Sequence, residues 1–146
     1  MPTQFTGGCA CGAIRYSCSE LPLGMFNCHC RDCQRACGGP FSPLLAVSSD
    51  TVRIDGTPAF YAAQASGGNH GTCGFCTACG NQLFARNPDN PDVLMIRAGS
   101  LHEPAAFKPV ADIWTVNALP WVHFDRHIPK VFKSPPVLEK DDLVRF

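Results

Sequence analysis

The sequence CACG at residues 9–12 and the sequence CTACG at residues 76–80 place two pairs of cysteines far apart in the chain. Glycine follows each pair directly, and glycine readily takes the positive φ that a tight turn needs. Turns of this kind can bring four sulfur atoms to about 2.3 Å from one zinc ion, in a closed tetrahedral site. The two pairs therefore predict a zinc-stapled fold, in which one ion joins distant parts of the chain.

A third cluster, CHCRDC at residues 28–33, lies between the two pairs. Its three cysteines can supply three thiolates to a zinc ion, which leaves a fourth coordination position open to water or a thiol. Zinc lowers the pKa of a ligand in that position, so that a thiolate or hydroxide is available at neutral pH. The cluster therefore indicates a catalytic zinc site formed by Cys28, Cys30 and Cys33.

Two further cysteines offer alternative ligands. Cys37 follows Cys33 by four residues, and such residues are neighbours on a helix, so Cys37 could close the open site. Cys73 stands three residues before Cys76, and Cys76 and Cys79 have the same spacing. Cys73 and Cys76 are therefore a second candidate pair for the closed site.

Other residues near the clusters have a functional and a structural interpretation each. His29 either donates a proton or binds metal, or its side chain points away from the cluster. Arg31 and Arg35 either bind substrate carboxylates through their forked donors or form a solvated surface. Cys18 is expected to be a small buried hydrophobe on a strand. Four aromatic residues either wall a pocket or belong to the core: Phe41, Trp114, Trp121 and Phe124.

Composition narrows the protein class. The chain has 146 residues, 45% of them hydrophobic, with 12 basic and 12 acidic side chains and a pI near 6.9. This balance argues against a nucleic-acid partner, and no apolar run is long enough to suggest a membrane partner. Met1 to Gly8 show no secretory signal, so we expect a cytoplasmic protein whose ten cysteines are metal ligands or redox groups. No oligomeric state is predicted.

Secondary structure is predicted to be mostly β, because glycine and proline interrupt the chain throughout and short β-branched runs recur between them. One short helix is expected at Arg31 to Cys37. We expect one domain over residues 1–133, with loops at 66–71 and 87–92, and a tail at 134–146. The predicted strands are Ala13–Cys18, Leu23–Asn27, Phe41–Val47, Thr51–Ile54, Ala59–Ala62, Gly71–Phe75, Gln82–Ala85, Val93–Ala98 and Ile113–Val116.

Three segments together resemble the glutathione-dependent formaldehyde-activating enzyme family, or CENP-V/GFA domain. They are GCACGAIRY at residues 8–16, CHCRDC at 28–33 with Phe41 downstream, and FCTACGNQL at 75–83. A later segment, residues 119–129, also resembles the family. The resemblance implies an all-β, Mss4-like fold with two zinc ions. It places the structural zinc on Cys9, Cys11, Cys76 and Cys79, and the catalytic zinc on Cys28, Cys30 and Cys33.

The family resemblance implies a carbon–sulfur lyase that joins or separates glutathione and formaldehyde, with a small thiol and a small aldehyde as partners. Family members usually carry a small hydroxylated residue at the position of Cys37, so this chain departs from the pattern there. Two other function classes remain open. One is a non-catalytic zinc-binding interaction module, against which the neutral charge and the absence of a basic arm argue. The other is a redox or metal sensor that releases zinc when its cysteines are oxidised.

Overall fold

Ten short strands and one α-helix form the regular structure of residues 3–62 and 71–133, which are the residues that this computed structural model describes. The predicted tail and most of the predicted loop at 66–71 lie outside them. Among these residues, no helix is both long and apolar enough to cross a membrane. The elements are β1 Phe5–Gly8, β2 Arg15–Cys18, β3 Gly24–Cys28, α1 Arg31–Cys37, β4 Ser42–Ser48, β5 Val52–Asp55, β6 Ala59–Ala62, β7 Thr72–Phe75, β8 Gln82–Arg86, β9 Val93–Arg97 and β10 Ala111–Ile113.

The strands form two sheets. The smaller sheet has the order β1-β2-β5, and the larger has the order β10-β3-β4-β9-β8-β7-β6. Every pair of neighbouring strands is antiparallel except β10 and β3, which run parallel. The strand that ends at Cys28 therefore lies between β4 and β10, near one edge of the larger sheet.

At its centre, along β4, the larger sheet is buried on both faces. Leu44 and Leu45 are consecutive on β4, so their side chains point to opposite faces, and each belongs to a different core cluster. The Leu45 cluster includes Tyr16 of the smaller sheet, whereas the Leu44 cluster includes Ile113 of β10. Each core cluster also contains cysteines of one group: Cys9 and Cys76 in the first, Cys28 and Cys33 in the second.

The prediction of a mostly-β fold with one helix is confirmed. The helix spans Arg31–Cys37 as expected, and eight of the nine predicted strands form within two residues of their predicted ends. The strand predicted at Ile113–Val116 is wrong, because β10 is Ala111–Ile113 and a 3-10 turn covers Thr115–Asn117. Trp114 has a left-handed φ of 56°, which a strand does not accommodate.

Strand β1 was not predicted from the sequence, because its two glycines weaken the strand pattern. Gly7 lies against the ring of Tyr16, and a Cβ atom built on Gly7 would stand 2.1 Å from the Tyr16 hydroxyl oxygen. That hydroxyl in turn lies 2.7 Å from Ser100 Oγ in the core. The glycine is therefore required by close packing between the strand and a buried tyrosine.

Candidate metal centres

Four cysteines from the two outer pairs meet beside the first core cluster. The sulfur atoms of Cys9, Cys11, Cys76 and Cys79 all lie within 4.8 Å of one another. In the first turn Gly12 N–H donates to Cys9 O at 3.1 Å, and in the second Gly80 N–H donates to Cys76 O at 2.8 Å. Both glycines have positive φ, 78° and 74°. The two glycine-ended turns thus bring together Cys11 and Cys76, which are 65 residues apart in the sequence.

The spacing of these sulfurs fits metal coordination. Cys11 Sγ lies 3.6 Å from Cys9 Sγ and 3.7 Å from Cys76 Sγ. Four sulfurs bound tetrahedrally at about 2.3 Å would be about 3.8 Å apart, whereas a disulfide would hold two sulfurs at about 2.05 Å. All ten cysteines are free thiols. This group, which we call the four-cysteine cluster, could therefore hold a metal ion.

The protonation of the four-cysteine cluster is uneven. Burial raises the pKa of Cys9, but the N–H of Ile14 at 3.2 Å and the neighbouring thiols stabilise its thiolate and lower the pKa to about 6. The backbone N–H of Ala13 lowers the pKa of Cys11, yet the nearby sulfurs outweigh it and raise the pKa to about 11. Crowded thiols therefore share protons, which a divalent cation would displace.

Cys28, Cys30 and Cys33 form the three-cysteine cluster, with sulfur atoms that also lie within 4.8 Å of one another. Cys28 is the last residue of β3, and Cys33 lies in the first turn of α1. Cys30 is the N-cap of that helix, and its sulfur accepts the N–H of Cys33 at 3.3 Å. The passage from strand to helix within three residues is what brings the three sulfurs together.

One thiolate is already favoured in the three-cysteine cluster. Hydrogen bonds from the thiols of Cys28 and Cys33 lower the pKa of Cys30 to about 3. The same contacts raise the pKa of Cys28 well above its ordinary value, and burial raises it further. Cys28 is buried whereas Cys30 is partly exposed, so solvent reaches the cluster at Cys30.

Cys37 does not join this cluster. Its sulfur lies 3.2 Å from Phe41 O and accepts the N–H of Gly39 at 3.4 Å. Cys73 likewise is not one of the grouped sulfurs of the four-cysteine cluster. Its sulfur instead accepts a hydrogen bond from Arg97 Nη2 at 3.7 Å. Cys18 is fully buried, and burial raises its pKa to about 12, as expected for a thiol that acts as a small hydrophobe.

His29 is buried and turned toward β10. Its Nε2 donates to Asp112 Oδ1 at 3.0 Å. The centroid of its ring lies 5.0 Å from that of Phe41 and 5.1 Å from that of Phe124. His29 Nδ1 has no hydrogen-bond partner among the described residues. The histidine is therefore not one of the grouped metal-ligand candidates, although it lies between two of them.

Asp112 connects three parts of the fold behind the three-cysteine cluster. Besides His29, its Oδ1 accepts Asn27 Nδ2 at 3.2 Å, and its Oδ2 forms an ion pair with Lys130 Nζ at 2.9 Å. Burial raises the pKa of Asp112, but hydrogen bonds from Lys130, His29 and Asn27 outweigh it and hold the pKa below its ordinary value. The carboxylate is thus charged and ties β3, β10 and the segment around Lys130 together.

Gln34 holds the turn between Cys28 and α1. Its Nε2 donates to the carbonyl of His29 at 2.8 Å and to that of Asn117 at 3.0 Å, while Arg31 Nη1 donates to its Oε1. Arg35 is exposed on the same helix. Arg31 is thus hydrogen-bonded and Arg35 is solvated, in a helix that begins at the cluster.

The sequence motifs did not indicate Gln34, Asp112 or Lys130. An acidic residue flanked by Ala111 and Ile113 is a signal that could have indicated Asp112, because an isolated charge in an apolar strand is usually paired. Of the four aromatic candidates, Trp114 packs against the second core cluster and Trp121 is 62% exposed, whereas Phe41 and Phe124 flank His29.

The class of protein defined by these features is a mostly antiparallel β protein with two cysteine clusters that could hold metal ions. The sequence matches the glutathione-dependent formaldehyde-activating enzyme family over residues 4–117, so the chain belongs to that family, as its motifs indicated. A crystal structure of a Rhodobacter sphaeroides protein, a Northeast Structural Genomics target, has a similar fold, with a TM-score of 0.54 and 16% identity over 86% of this chain and 99% of that one. No curated protein gives a significant match.

Proposed function

We propose that the chain is a zinc-dependent carbon–sulfur lyase that acts on a thiol–aldehyde adduct such as S-(hydroxymethyl)glutathione. The family description names glutathione and formaldehyde and supports this substrate class. The observation that carries the proposal is the three-cysteine cluster, in which three sulfurs are grouped while the sulfur of Cys37 is held by backbone atoms elsewhere. Three thiolate ligands leave a coordination position for substrate, which a structural zinc site does not have.

Zinc fits both clusters by the chemistry of their donors, because thiolates are soft ligands that select zinc over harder divalent ions such as magnesium. Cys9, Cys11, Cys76 and Cys79 would hold a closed structural ion, and Cys28, Cys30 and Cys33 an open catalytic one. A zinc ion in the open site supplies Lewis acidity toward an aldehyde oxygen or lowers the pKa of a thiol.

The reaction needs no electron donor or acceptor. Cleavage breaks the bond between sulfur and the hydroxymethyl carbon, the hydroxyl oxygen loses its proton as it becomes the aldehyde oxygen, and the sulfur leaves as a thiolate that takes up a proton. Addition of the thiol to the aldehyde is the reverse. Both directions therefore require proton transfer and stabilisation of a thiolate, and a soft metal site is suited to the second task.

The chain itself orients the cluster and receives the substrate. Gln34 fixes the carbonyl of His29, which holds the turn that presents Cys28 and Cys30. The partly exposed Cys30 marks the side of the cluster that a substrate can reach. We assign to Arg31 and Arg35, on the helix that begins there, attraction of the carboxylates of glutathione. We place this activity in the cytoplasm, where thiols remain reduced.

The test is acceleration of the exchange between formaldehyde, glutathione and their adduct, followed by NMR and corrected for the uncatalysed reaction. Zinc-loaded wild-type protein should accelerate the exchange, and Cys30→Ser should abolish the acceleration. Cys37→Ser is the matched control, since its sulfur is outside the cluster, and it should keep the wild-type rate. A wild-type protein with both sites filled that leaves the exchange at its spontaneous rate would refute the proposal.

A further inference from the structure

Arg97 is a buried cation that has no carboxylate partner among the described residues. It is the last residue of β9 and is 6% exposed. Its Nη1 donates to Ser42 Oγ at 2.5 Å and its Nη2 to Cys73 Sγ at 3.7 Å, and its Nε has no partner in the described part of the chain. The salt bridges formed by residues 3–62 and 71–133 do not include it.

An unpaired buried guanidinium needs an anion nearby. An arginine side chain remains protonated in proteins, so it does not become neutral when it is buried. A buried charge that is neither paired nor solvated is strongly unfavourable. A hydroxyl and a thiol supply hydrogen bonds to Arg97 but no negative charge, so the fold leaves its charge to be balanced by another group.

The three-cysteine cluster lies on the same face of the sheet. Ser42, which accepts from Arg97, stands directly opposite Cys28 in the pairing of β3 with β4. Arg97 itself stands opposite Leu44, which is two residues from Ser42 and therefore on its face. Side chains directly opposite each other in an antiparallel pair are about 5 Å apart, so the guanidinium reaches the immediate neighbour of Cys28.

We propose that Arg97 is the internal counter-charge of the three-cysteine cluster and, through Ser42, a positioning residue that retains its metal ion. The proposal rests on the proposed function, in that it requires a metal ion at this cluster. Three thiolates and one divalent ion carry a net charge of −1, which one guanidinium balances. The four-cysteine cluster differs because Cys11 and Cys79 are exposed, so water can stabilise its charge.

Chelator competition on the folded, zinc-loaded protein tests this inference without reference to activity. Two zinc dissociation constants are measured, and Cys30→Ser identifies the one that belongs to the three-cysteine cluster. In Arg97→Gln this constant should rise by about tenfold or more, in the range seen when residues behind metal ligands are removed, while the other constant stays unchanged. Arg97→Lys should recover most of the affinity because it keeps the charge.

Arg86→Gln is the matched control. It removes an arginine from the neighbouring strand β8, where the guanidinium is exposed and lies 4.6 Å from the ring centroid of Phe60, and it should change neither constant. If Arg97→Gln does not fold, Ser42→Ala decides the question, because it keeps the cation and removes only its anchor. Selective weakening of the three-cysteine site in Ser42→Ala supports the inference.

The outcomes separate the two proposals. Wild-type protein that binds one ion only, at the four-cysteine cluster, refutes the proposed function and this inference with it. Wild-type protein that binds two ions, with unchanged constants in Arg97→Gln or in its substitute Ser42→Ala, overturns the inference alone. Equal weakening of both sites in the folded variants also overturns it, since a structural loss would affect the two clusters alike.

Discussion

Replacement of Asp112 by alanine should destabilise the protein more than any exposed acidic substitution. Asp112 is 2% exposed, and its side chain accepts hydrogen bonds from His29 Nε2 and Asn27 Nδ2. Asp112→Ala leaves these two buried donors without an acceptor. It also leaves Lys130 without its carboxylate.

The size of the stability loss in Asp112→Ala follows from these contacts. A buried donor left unsatisfied costs about 1–3 kcal/mol, so two donors give about 2–6 kcal/mol. Lys130 adds little, because its side chain is 33% exposed and its Nζ also donates to the carbonyls of Asp125 and Ile128. Water can enter the space left by the carboxylate, so we expect the lower part of the range, about 3 kcal/mol.

Urea unfolding in reducing, zinc-containing buffer measures this loss as a lower midpoint at an unchanged m-value. Asp55→Ala is the control, since Asp55 is exposed and its only ion pair in the described structure is a 3.6 Å surface contact with Arg53, and it should leave the midpoint nearly unchanged. If Asp112→Ala loses no more stability than Asp55→Ala, Asp112 does not tie these parts of the fold together.

Three other predictions concern the same structure. The stability difference between wild type and Asp112→Asn should be constant near neutrality and shrink as the pH falls below about 4. The pKa of Asp112 is lowered in the folded state, so its stabilisation is lost as the carboxylate protonates. Urea midpoints at pH 3 to 7 measure the difference, and a difference that does not change with pH contradicts the prediction. Gly7→Ala should cost about 1–3 kcal/mol by overpacking against Tyr16, measured by thermal unfolding beside the unhindered control Gly99→Ala. Gln34→Ala should lose about 1–3 kcal/mol, because the carbonyl of His29 loses its side-chain partner; a wild-type urea midpoint would show that Gln34 does not hold the turn.

Local signals were sufficient to predict most of the fold. The predicted helix at Arg31–Cys37 forms because Cys30 caps its first turn and Gly38 ends it. The failures occurred where packing overrides local preference. Strand β1 contains Gly7 because Tyr16 occupies the space of its side chain, and the strand predicted to continue past Ile113 ends at the left-handed Trp114. Neither constraint is visible in the residues of the segment itself.

The grouping of cysteines was similarly accessible from the sequence, because short turns determine which sulfurs meet. The residues that hold the clusters in place could not be predicted from the sequence. Asp112 is 83 residues from His29 along the chain, and Arg97 is 55 residues from Ser42, so only the strand pairing brings each of them to its partner. A sequence shows that such a residue is charged but does not show which group will face it.

The zinc content of gently purified, reduced protein, determined by elemental analysis for the wild type and for Cys30→Ser, is the most direct test of whether both clusters hold zinc. We expect two zinc ions per chain in the wild type and one in Cys30→Ser, because the four-cysteine cluster keeps its ion. A value of one in both the wild type and Cys30→Ser would show that the three-cysteine cluster does not retain zinc and would contradict the proposed lyase. A value near zero would contradict the metal assignment of both clusters.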